Sequence, residues 1–462
     1  MSLYPDQLLS AEEFEYWLNN TSIQTCGLWA SAGFGKSYSM RHMVEEVIYK
    51  NSNYTPTICS MTHSACAVLS EFVGKEVKTL HSTMGWIPYN DKETGEEGIS
   101  TPRMRDKNAE PRFSSTDILL VDEAGLIGHR ELRLLLEELS LSGARVMFIG
   151  DHKQCYPVTK EDEKLCIPAH DHTTQFGSNF ELTIPKRTSD DDMIYKLALK
   201  YRKCVDGAPQ PELKTALNSD GKTGVRVVDD LEEIAIPAFK AGIRDGDVRK
   251  IKCLCFTNKR ALTLNRKIRK RVMGFKSPIP TVGEEMVANT TIQESTGDGT
   301  LIKNNELLVV KEVEPTMSHG LEGAFIQFTR TTPVTGDDGE EYFPDVSEIV
   351  FVPATPAKLI DRMKKLSTDA KAYKKNGFTE EAQKNWQAFF SLKEGCADIR
   401  FTYAMTINKA QGVTLKHALV DMGDISICQD NSQKSRYAYT AVTRATDYVT
   451  IEGELDTRQY FG

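Results

Sequence analysis

Short apolar runs alternate with stretches of helical periodicity along most of the chain. Runs of about four to eight apolar residues between turn residues are typical of buried strands in a parallel sheet. In the amino-terminal part these runs are 26–29, 57–61, 117–121 and 144–150. Helical stretches such as 38–49 and 131–139 lie between them. The alternation predicts a doubly wound α/β domain whose chemistry lies at the carboxyl ends of the strands.

A second alternating set begins after residue 187 and is interrupted. It opens with a strand at 252–256 and a helix at 259–272, resumes at residue 401 and ends at residue 452. The residues from 281 to 394 instead predict antiparallel strands, a turn at 335–339 and a charged helical stretch at 358–392. We therefore predict a second α/β domain that is interrupted by a small β-rich insertion with a helical extension.

Two further segments of the amino-terminal part carry distinct signals. Residues 8–18 predict an amphipathic helix with Ser10 as N-cap and Glu13 in the capping-box position. The segment 86–114 is polar and rich in Gly and Pro, with a turn signal at Thr94–Gly95. It predicts an excursion from the main sheet in the form of a hairpin.

Composition narrows the class of protein. A chain of 462 residues is too long for one core and suggests about three domains. No apolar run approaches the ~20 residues of a membrane span, and the first residues do not resemble a secretory signal. The ten cysteines are scattered, and Cys253 and Cys255 are expected to be buried strand residues in a reduced cytoplasm. Cys166, His170 and His172 lack a fourth ligand, so no zinc site is predicted.

The net charge of −8 argues against a protein that is coated in positive charge for nucleic acid. It leaves room for a local basic groove. The helical residues 266–271 are rich in Arg and Lys, and their even spread of charge favours a solvated face over a DNA contact.

The stretch Ala30–Ser37 lies between a predicted strand and a predicted helix, which is the context of a phosphate-binding loop. Gly33 and Gly35 allow the backbone to approach an anion. Lys36 can reach the β- and γ-phosphates, and the Ser37 hydroxyl can bind Mg²⁺. The alternative is a glycine-rich turn with a solvated lysine.

Three polar residues at the ends of later strands complete this chemistry. Asp122 can hold Mg²⁺, and Glu123 can orient or deprotonate the attacking water. Gln154 could form a hydrogen bond with the γ-phosphate, and this bond would be lost when the γ-phosphate is cleaved. Carboxylates after a strand also commonly cap helices, but their position downstream of a phosphate loop favours catalysis.

Short motifs of this kind, at the ends of predicted strands and the starts of predicted helices, occur in an ordered series from residue 30 to residue 445. Its members are 30–37, 62–65, 79–82, 121–124, 149–154, 182–187, 256–258, 406–412 and 439–445. The series resembles superfamily 1 DNA helicases, in the group that contains the phage Dda helicase and the RecD-like enzymes. Joint occurrence in this order is far more specific than any single motif.

The resemblance implies two RecA-like domains with ATP in the cleft between them. Arg187 and Arg444 match the arginine fingers of the family, and each could alternatively be a surface arginine in an ion pair. Gln411 and Gly412 match residues that couple the nucleotide to the DNA. The implied nucleotide-binding residues are Gly33, Phe34, Gly35, Lys36, Ser37, Asp122, Gln411 and Gly412.

The resemblance also implies a domain division. The first RecA-like domain covers 1–185, with a pin-like excursion at about 86–114. The second covers 186–280 and 396–462, and the inserted domain, which matches the small β-barrel of the family and carries the helical extension, covers 281–395. In this family a glutamine near the amino-terminal helix reads adenine, and the aligned position is Glu13, with Gln7 out of register.

A path for single-stranded DNA follows from the same resemblance. Its residues are Thr62, His63, Thr79, His81, Asn258 and Thr406. For the two histidines, core packing or helix capping is an alternative role. Trp86 and Tyr89 are candidates for base stacking on the excursion, with burial against the sheet as the alternative.

The motifs and the family resemblance together predict a Mg²⁺- and ATP-dependent DNA helicase that moves along single strands. The resemblance implies that it moves in the 5′ to 3′ direction. The expected partners are single-stranded and forked duplex DNA and replication or recombination proteins. We expect a monomer without membrane contact, in the cytoplasm of a bacterial host. Three alternatives remain: an RNA helicase or protein–DNA remodelling translocase, a P-loop NTPase or kinase acting on a small molecule, and a silent DNA-binding scaffold.

Overall fold

The computed structural model describes residues 3–20, 22–51, 53–157, 178–186, 191–275, 277–296, 299–335 and 340–455. The chain divides into two compact units. The first comprises residues 1–87, 100–231 and 410–462, and the second comprises 88–99 and 232–409. The domain boundaries given above stay a prediction.

A parallel sheet lies at the centre of the first unit. The strands described up to residue 186 are β1 (Thr25–Ala30), β2 (Thr55–Ser60), β3 (Lys78–Thr79), β4 (Ile87–Asn90), β5 (Glu97–Ser100), β6 (Asp117–Asp122), β7 (Arg145–Gly150) and β8 (Ser178–Leu182). Six of these described strands form the sheet, in the order β3-β2-β6-β7-β1-β8, and β4 pairs with β5. The inner strands β1, β6 and β7 are buried almost throughout, which explains their continuous apolar sequences.

The helices of this part of the chain lie before, between and after these strands. They are α1 (Pro5–Asn20), α2 (Lys36–His42), α3 (Tyr49–Asn51), α4 (His63–Val73), α5 (Leu80–Thr83), α6 (Pro102–Arg105), α7 (His129–Ser142) and α8 (Met193–Val205). A π-helical stretch, Met43–Ile48, joins α2 to α3. The predicted start of α1 is wrong: Ser10 lies inside the helix, because Pro5 and Asp6 already supply a favourable first turn.

The remaining strands are β9 (Ala216–Leu217), β10 (Gly224–Val228), β11 (Ile251–Cys255), β12 (Glu285–Ala288), β13 (Ile292–Gln293), β14 (Thr300–Ile302), β15 (Leu307–Ser318), β16 (Leu321–Arg330), β17 (Val334–Thr335), β18 (Glu341–Tyr342), β19 (Val350–Pro353), β20 (Ile399–Phe401), β21 (Ala404–Thr406), β22 (Leu415–Asp421) and β23 (Ala445–Glu452). The remaining helices are α9 (Leu231–Asp245), α10 (Asn258–Met273), α11 (Pro356–Lys375), α12 (Thr379–Gly395), α13 (Met422–Ile425) and α14 (Asn431–Val442). None of the helices in the described ranges is long and apolar enough to cross a membrane.

The first unit also holds four of the described strands in a mixed arrangement, β22-β23-β10-β9, where only β9 is antiparallel to its neighbour. In the second unit β11 and β21 pair in parallel, and Cys253 and Cys255 are buried as predicted. The predicted fold class is confirmed: an α/β protein with two RecA-like parallel-sheet domains.

The second unit contains the predicted insertion. Five of its described strands form an antiparallel sheet in the order β19-β16-β15-β12-β20, and α11 and α12 form the helical extension. Most of the predicted turn at 335–339 lies outside the described residues.

The basic helix α10 departs from its prediction at one residue. Arg269 is buried and donates to both carboxylate oxygens of Glu284, at 2.7 and 2.6 Å. The neighbouring basic residues of 266–271 are exposed, as expected for a solvated face.

Candidate nucleotide and DNA-binding site

The phosphate loop joins the end of β1 to the first residue of α2. Gly33 and Gly35 have φ angles of 84° and 82°, in the left-handed region that favours glycine. The Lys36 ammonium donates to the backbone carbonyls of Ala30 (2.9 Å) and Ser31 (3.4 Å). The Lys36 side chain is thus folded over the loop. The loop ends at the amino terminus of a helix, and such a terminus favours the binding of an anion.

Two other members of the predicted set support the loop. Phe34 is buried and its ring lies 6.3 Å from the ring of Tyr195 on α8. Ser37 lies in the first turn of α2 and is half-buried.

Gln7 of α1 packs directly against the loop. Its Nε2 donates to the carbonyl of Gly35 at 3.4 Å, and its Oε1 accepts from the backbone N–H of Tyr4 at 3.1 Å. A Cβ at Gly35 would lie 2.7 Å from this Nε2. Glu13 on the same helix is exposed, whereas Gln7 lies at the loop.

Asp122 ends β6, and Glu123 follows it in a left-handed conformation with φ 53°. A left-handed glutamate is strained, and such strain tends to occur at functional sites. Burial and the Glu123 charge raise the pKa of Asp122 to about 7, against the opposing effect of Lys36. A cation at this position would favour the ionised form of Asp122.

Gln154 lies in the loop after β7, and we call residues 150–155 the sensor loop. Its side chain is buried, and its Oε1 has no partner among the described residues. Helix α14 holds the loop: Arg436 donates to the carbonyls of His152 (2.6 Å) and Gln154 (3.1 Å), and Thr440 Oγ1 accepts from the N–H of Cys155 (3.2 Å).

Arg444 lies two residues beyond the same helix. Its Nε donates to the carbonyl of Thr440 at 3.1 Å and its Nη2 to Thr443 Oγ1 at 3.1 Å. Thr440 therefore contacts both the sensor loop and Arg444. Arg187 lies outside the described residues.

Gln411 and Gly412 follow a 3₁₀ turn, Ile407–Ala410. The Oε1 of Gln411 is buried and has no partner within the described part of the chain. Gly412 has a φ of 76°, and a Cβ there would lie 3.4 Å from Thr62 Oγ1. The segment that carries Gln411 thus packs on the first of the predicted DNA-binding residues.

Thr62 and Thr79 are the N-caps of α4 and α5. Their hydroxyls accept from the N–H groups of Ala65 and Ser82, each at 3.2 Å. Because Ser60 and Thr79 are partners in the β2–β3 register, both caps lie at one edge of the sheet. His63, in the first turn of α4, is half-buried.

The aromatic candidates differ in exposure. Trp86 is only 5% exposed and packs edge-on against His81, with ring centroids 5.5 Å apart. Burial lowers the pKa of His81. The structure therefore does not offer Trp86 for base stacking, whereas Tyr89 on β4 is 48% exposed.

In the second unit, Asn258 is exposed at the start of α10, and its Oδ1 accepts from Arg400 Nη1 at 2.7 Å. Thr406 is buried at the end of β21. Cys166, His170 and His172 lie outside the described residues, and the described ones contain no group of three metal-ligating side chains.

The predicted hairpin is present as β4 and β5, and it packs on α12. Lys92 pairs with Glu394 at 2.8 Å, Lys393 pairs with Glu97, and Gln383 donates to Glu93 at 3.2 Å. A Cβ at Gly95 in the turn would overlap the indole of Trp386. The hairpin is thus held along its length and at its tip.

Comparison with known proteins gives five matches. Residues 17–174 match an AAA domain model, and residues 401–451 match the UvrD-like helicase C-terminal domain. The chain is 24% identical over 447 residues to the ATP-dependent DNA helicase dda of Enterobacteria phage T4, covering 89% of this chain and 91% of the relative. It is 21% identical over 168 residues to uncharacterized protein R530 of Acanthamoeba polyphaga mimivirus, or 33% of each chain. A crystal structure of Pif1 helicase from Candida albicans matches with a TM-score of 0.49 and 15% identity, covering 99% of this chain and 96% of that one.

Proposed function

We propose that this chain, a superfamily 1 helicase homologous to the phage T4 dda helicase, is an ATP-dependent DNA helicase. It translocates on single-stranded DNA in the 5′ to 3′ direction and unwinds duplex DNA. One observation carries the proposal most directly: Gly412, next to the buried Gln411, packs on Thr62, which caps the first predicted DNA-binding helix. A movement of Gln411 on nucleotide binding can therefore be passed to the DNA-binding residue Thr62 through the contact of Gly412 with Thr62.

Each residue has a role in this proposal. Lys36 and Arg444 neutralise charge on the transferring phosphoryl group, Glu123 takes the proton of the attacking water, and Gln154 senses the γ-phosphate. Ser37 and Asp122 would hold Mg²⁺, which supplies positive charge to the phosphate oxygens when bound. The raised pKa of Asp122 fits this role because burial and the Glu123 charge disfavour the ionised carboxylate more than Lys36 favours it.

Single-stranded DNA should stimulate ATP hydrolysis strongly, and RNA should do so less. A rate that neither nucleic acid changes would favour a small-molecule NTPase instead. A monomeric state, a cytoplasmic location, and replication or recombination partners remain predictions.

Gln7 is proposed to read the adenine base, because a carboxamide can donate to and accept from the adenine edge. Gln7→Ala should raise the KM for ATP about tenfold and reduce the preference for ATP over GTP, as expected for the loss of one bidentate pair. Steady-state kinetics with both nucleotides measure this. Glu13→Ala is the matched control, and an equal effect of the two substitutions would contradict the assignment.

The hairpin is proposed to split the duplex, with Tyr89 exposed on it. Reversing two charges, Lys92→Glu with Lys393→Glu, places like charges beside Glu394 and Glu97. We expect unwinding of a 5′-tailed duplex to slow several-fold while ATP hydrolysis with single-stranded DNA is unchanged, because only the support of the hairpin is weakened.

Adding Glu394→Lys and Glu97→Lys restores opposite charges and should restore unwinding. A hairpin double variant that unwinds at the wild-type rate would show that its contact with α12 is dispensable.

A further inference from the structure

Helix α8 holds the sensor loop from a second side, through a residue outside every motif that the sequence offers. Arg202, near the end of α8, donates from Nη1 to Asp151 Oδ1 at 2.5 Å. The same nitrogen lies 3.4 Å from the Tyr439 hydroxyl. Asp151 belongs to the sensor loop and Tyr439 to α14, so one guanidinium contacts both.

The three groups form a closed network. The Tyr439 hydroxyl donates to the other carboxylate oxygen of Asp151 at 2.6 Å, and the N–H of Lys153 donates to Oδ1 at 3.1 Å. The Asp151 side chain is 1% exposed and that of Arg202 is 15% exposed. Burial alone would raise the pKa of Asp151, but Arg202, foremost among its neighbours, holds that pKa below its usual range.

The network lies directly beside the groups that act on ATP. The carbonyl of Asp151 accepts from the N–H of Gln154 at 3.2 Å. Tyr439 is followed on α14 by Thr440, whose hydroxyl accepts from the N–H of Cys155 and whose carbonyl accepts from Arg444, two residues beyond the helix. A shift of Asp151 relative to Tyr439 would therefore displace Gln154 relative to Arg444.

We infer that Arg202 is a positioning residue for ATP hydrolysis, which fixes the sensor loop to the helix that presents Arg444. We assign it no contact with the substrate or with the reacting atoms. Its Nη1 contacts both Asp151 and Tyr439, so that the phosphate sensor Gln154 and the finger Arg444 keep one relative position. The inference rests on the proposed function, because it assigns Gln154 and Arg444 their roles in hydrolysis.

The test compares variants of the full chain in ATP hydrolysis with saturating single-stranded DNA. Arg202→Gln should lower kcat about tenfold, as for a residue that couples two sites, with the KM for ATP within about twofold of wild type. Arg202→Lys keeps the charge without the fork and should recover part of kcat. Lys203→Gln, an exposed neighbour on α8, is the matched control and should match wild type.

Arg202→Gln leaves a buried carboxylate without its cation, which can destabilise the fold. The double variant Asp151→Asn with Arg202→Gln removes both charges and should recover the melting temperature but not kcat. If it recovers kcat together with stability, or if a stable Arg202→Gln hydrolyses ATP at the wild-type rate, Arg202 is structural only. Absence of DNA stimulation in the wild-type protein would instead reject the proposed function, so the two failures are distinguishable.

Discussion

Lys36→Ala is expected to lower the DNA-stimulated kcat for ATP by at least about a hundredfold, the loss typical of removing one preorganised charge-stabilising group. The ammonium lies folded over the loop on the carbonyls of Ala30 and Ser31, where alanine offers neither charge nor hydrogen bonds. Steady-state hydrolysis with and without single-stranded DNA measures the effect.

Lys50→Ala is the matched control, because this lysine follows in the same helical segment but is exposed and pairs with Glu46. It should leave kcat unchanged. If Lys36→Ala hydrolyses ATP at near the wild-type rate, the phosphate loop is not the site of ATP hydrolysis.

Glu123→Gln is expected to lower kcat about a thousandfold, within the range of general-base catalysis, while binding of ATP and of single-stranded DNA persists. The amide has the shape of the carboxylate but cannot accept a proton from the attacking water. Because glutamine has the size of glutamate, we expect the variant to keep the left-handed backbone at this residue, so the change isolates the charge.

Single-turnover hydrolysis and binding of a fluorescent nucleotide separate the two effects. Glu137→Gln on the exposed side of α7 serves as control. A loss of nucleotide binding in Glu123→Gln that equals the loss of kcat would argue that Glu123 binds rather than catalyses.

The sequence predicted the fold class well because buried parallel strands and glycine loops leave strong local signals. Local signals gave a wrong prediction for the start of α1. Ser10 and Glu13 have capping-box spacing, but the helix starts at Pro5, which brings Gln7 to the phosphate loop. The start signal was present in Pro5 and Asp6 and is weaker than a capping box.

Contacts between distant segments left no local signal. The buried pair of Arg269 and Glu284 looks like ordinary surface charge in the sequence, and nothing near Arg202 indicates Asp151 or Tyr439. Arg436 lies just upstream of a recognised motif, yet its role appears only when the sensor loop is placed against α14. Such contacts depend on tertiary packing rather than on periodicity.

The hairpin segment shows what the sequence could predict and two features that it could not: contacts between distant residues and the burial of an aromatic side chain. Its turn at Thr94–Gly95 was predictable from composition, but its support on α12 joins residues about 290 positions apart, such as Glu93 and Gln383. Trp86 has the residue type of a stacking group and is nevertheless part of the core. Residue type alone does not distinguish a buried aromatic side chain from an exposed one.

Strand separation on tailed duplexes measures the proposed helicase activity itself. The wild-type protein is incubated with ATP and Mg²⁺ on duplexes of one sequence that carry a 5′ tail, a 3′ tail or no tail, with Glu123→Gln in parallel. We predict unwinding of the 5′-tailed duplex, little unwinding of the other two, and none by the variant. A protein that hydrolyses ATP but separates none of the three duplexes would contradict the helicase account.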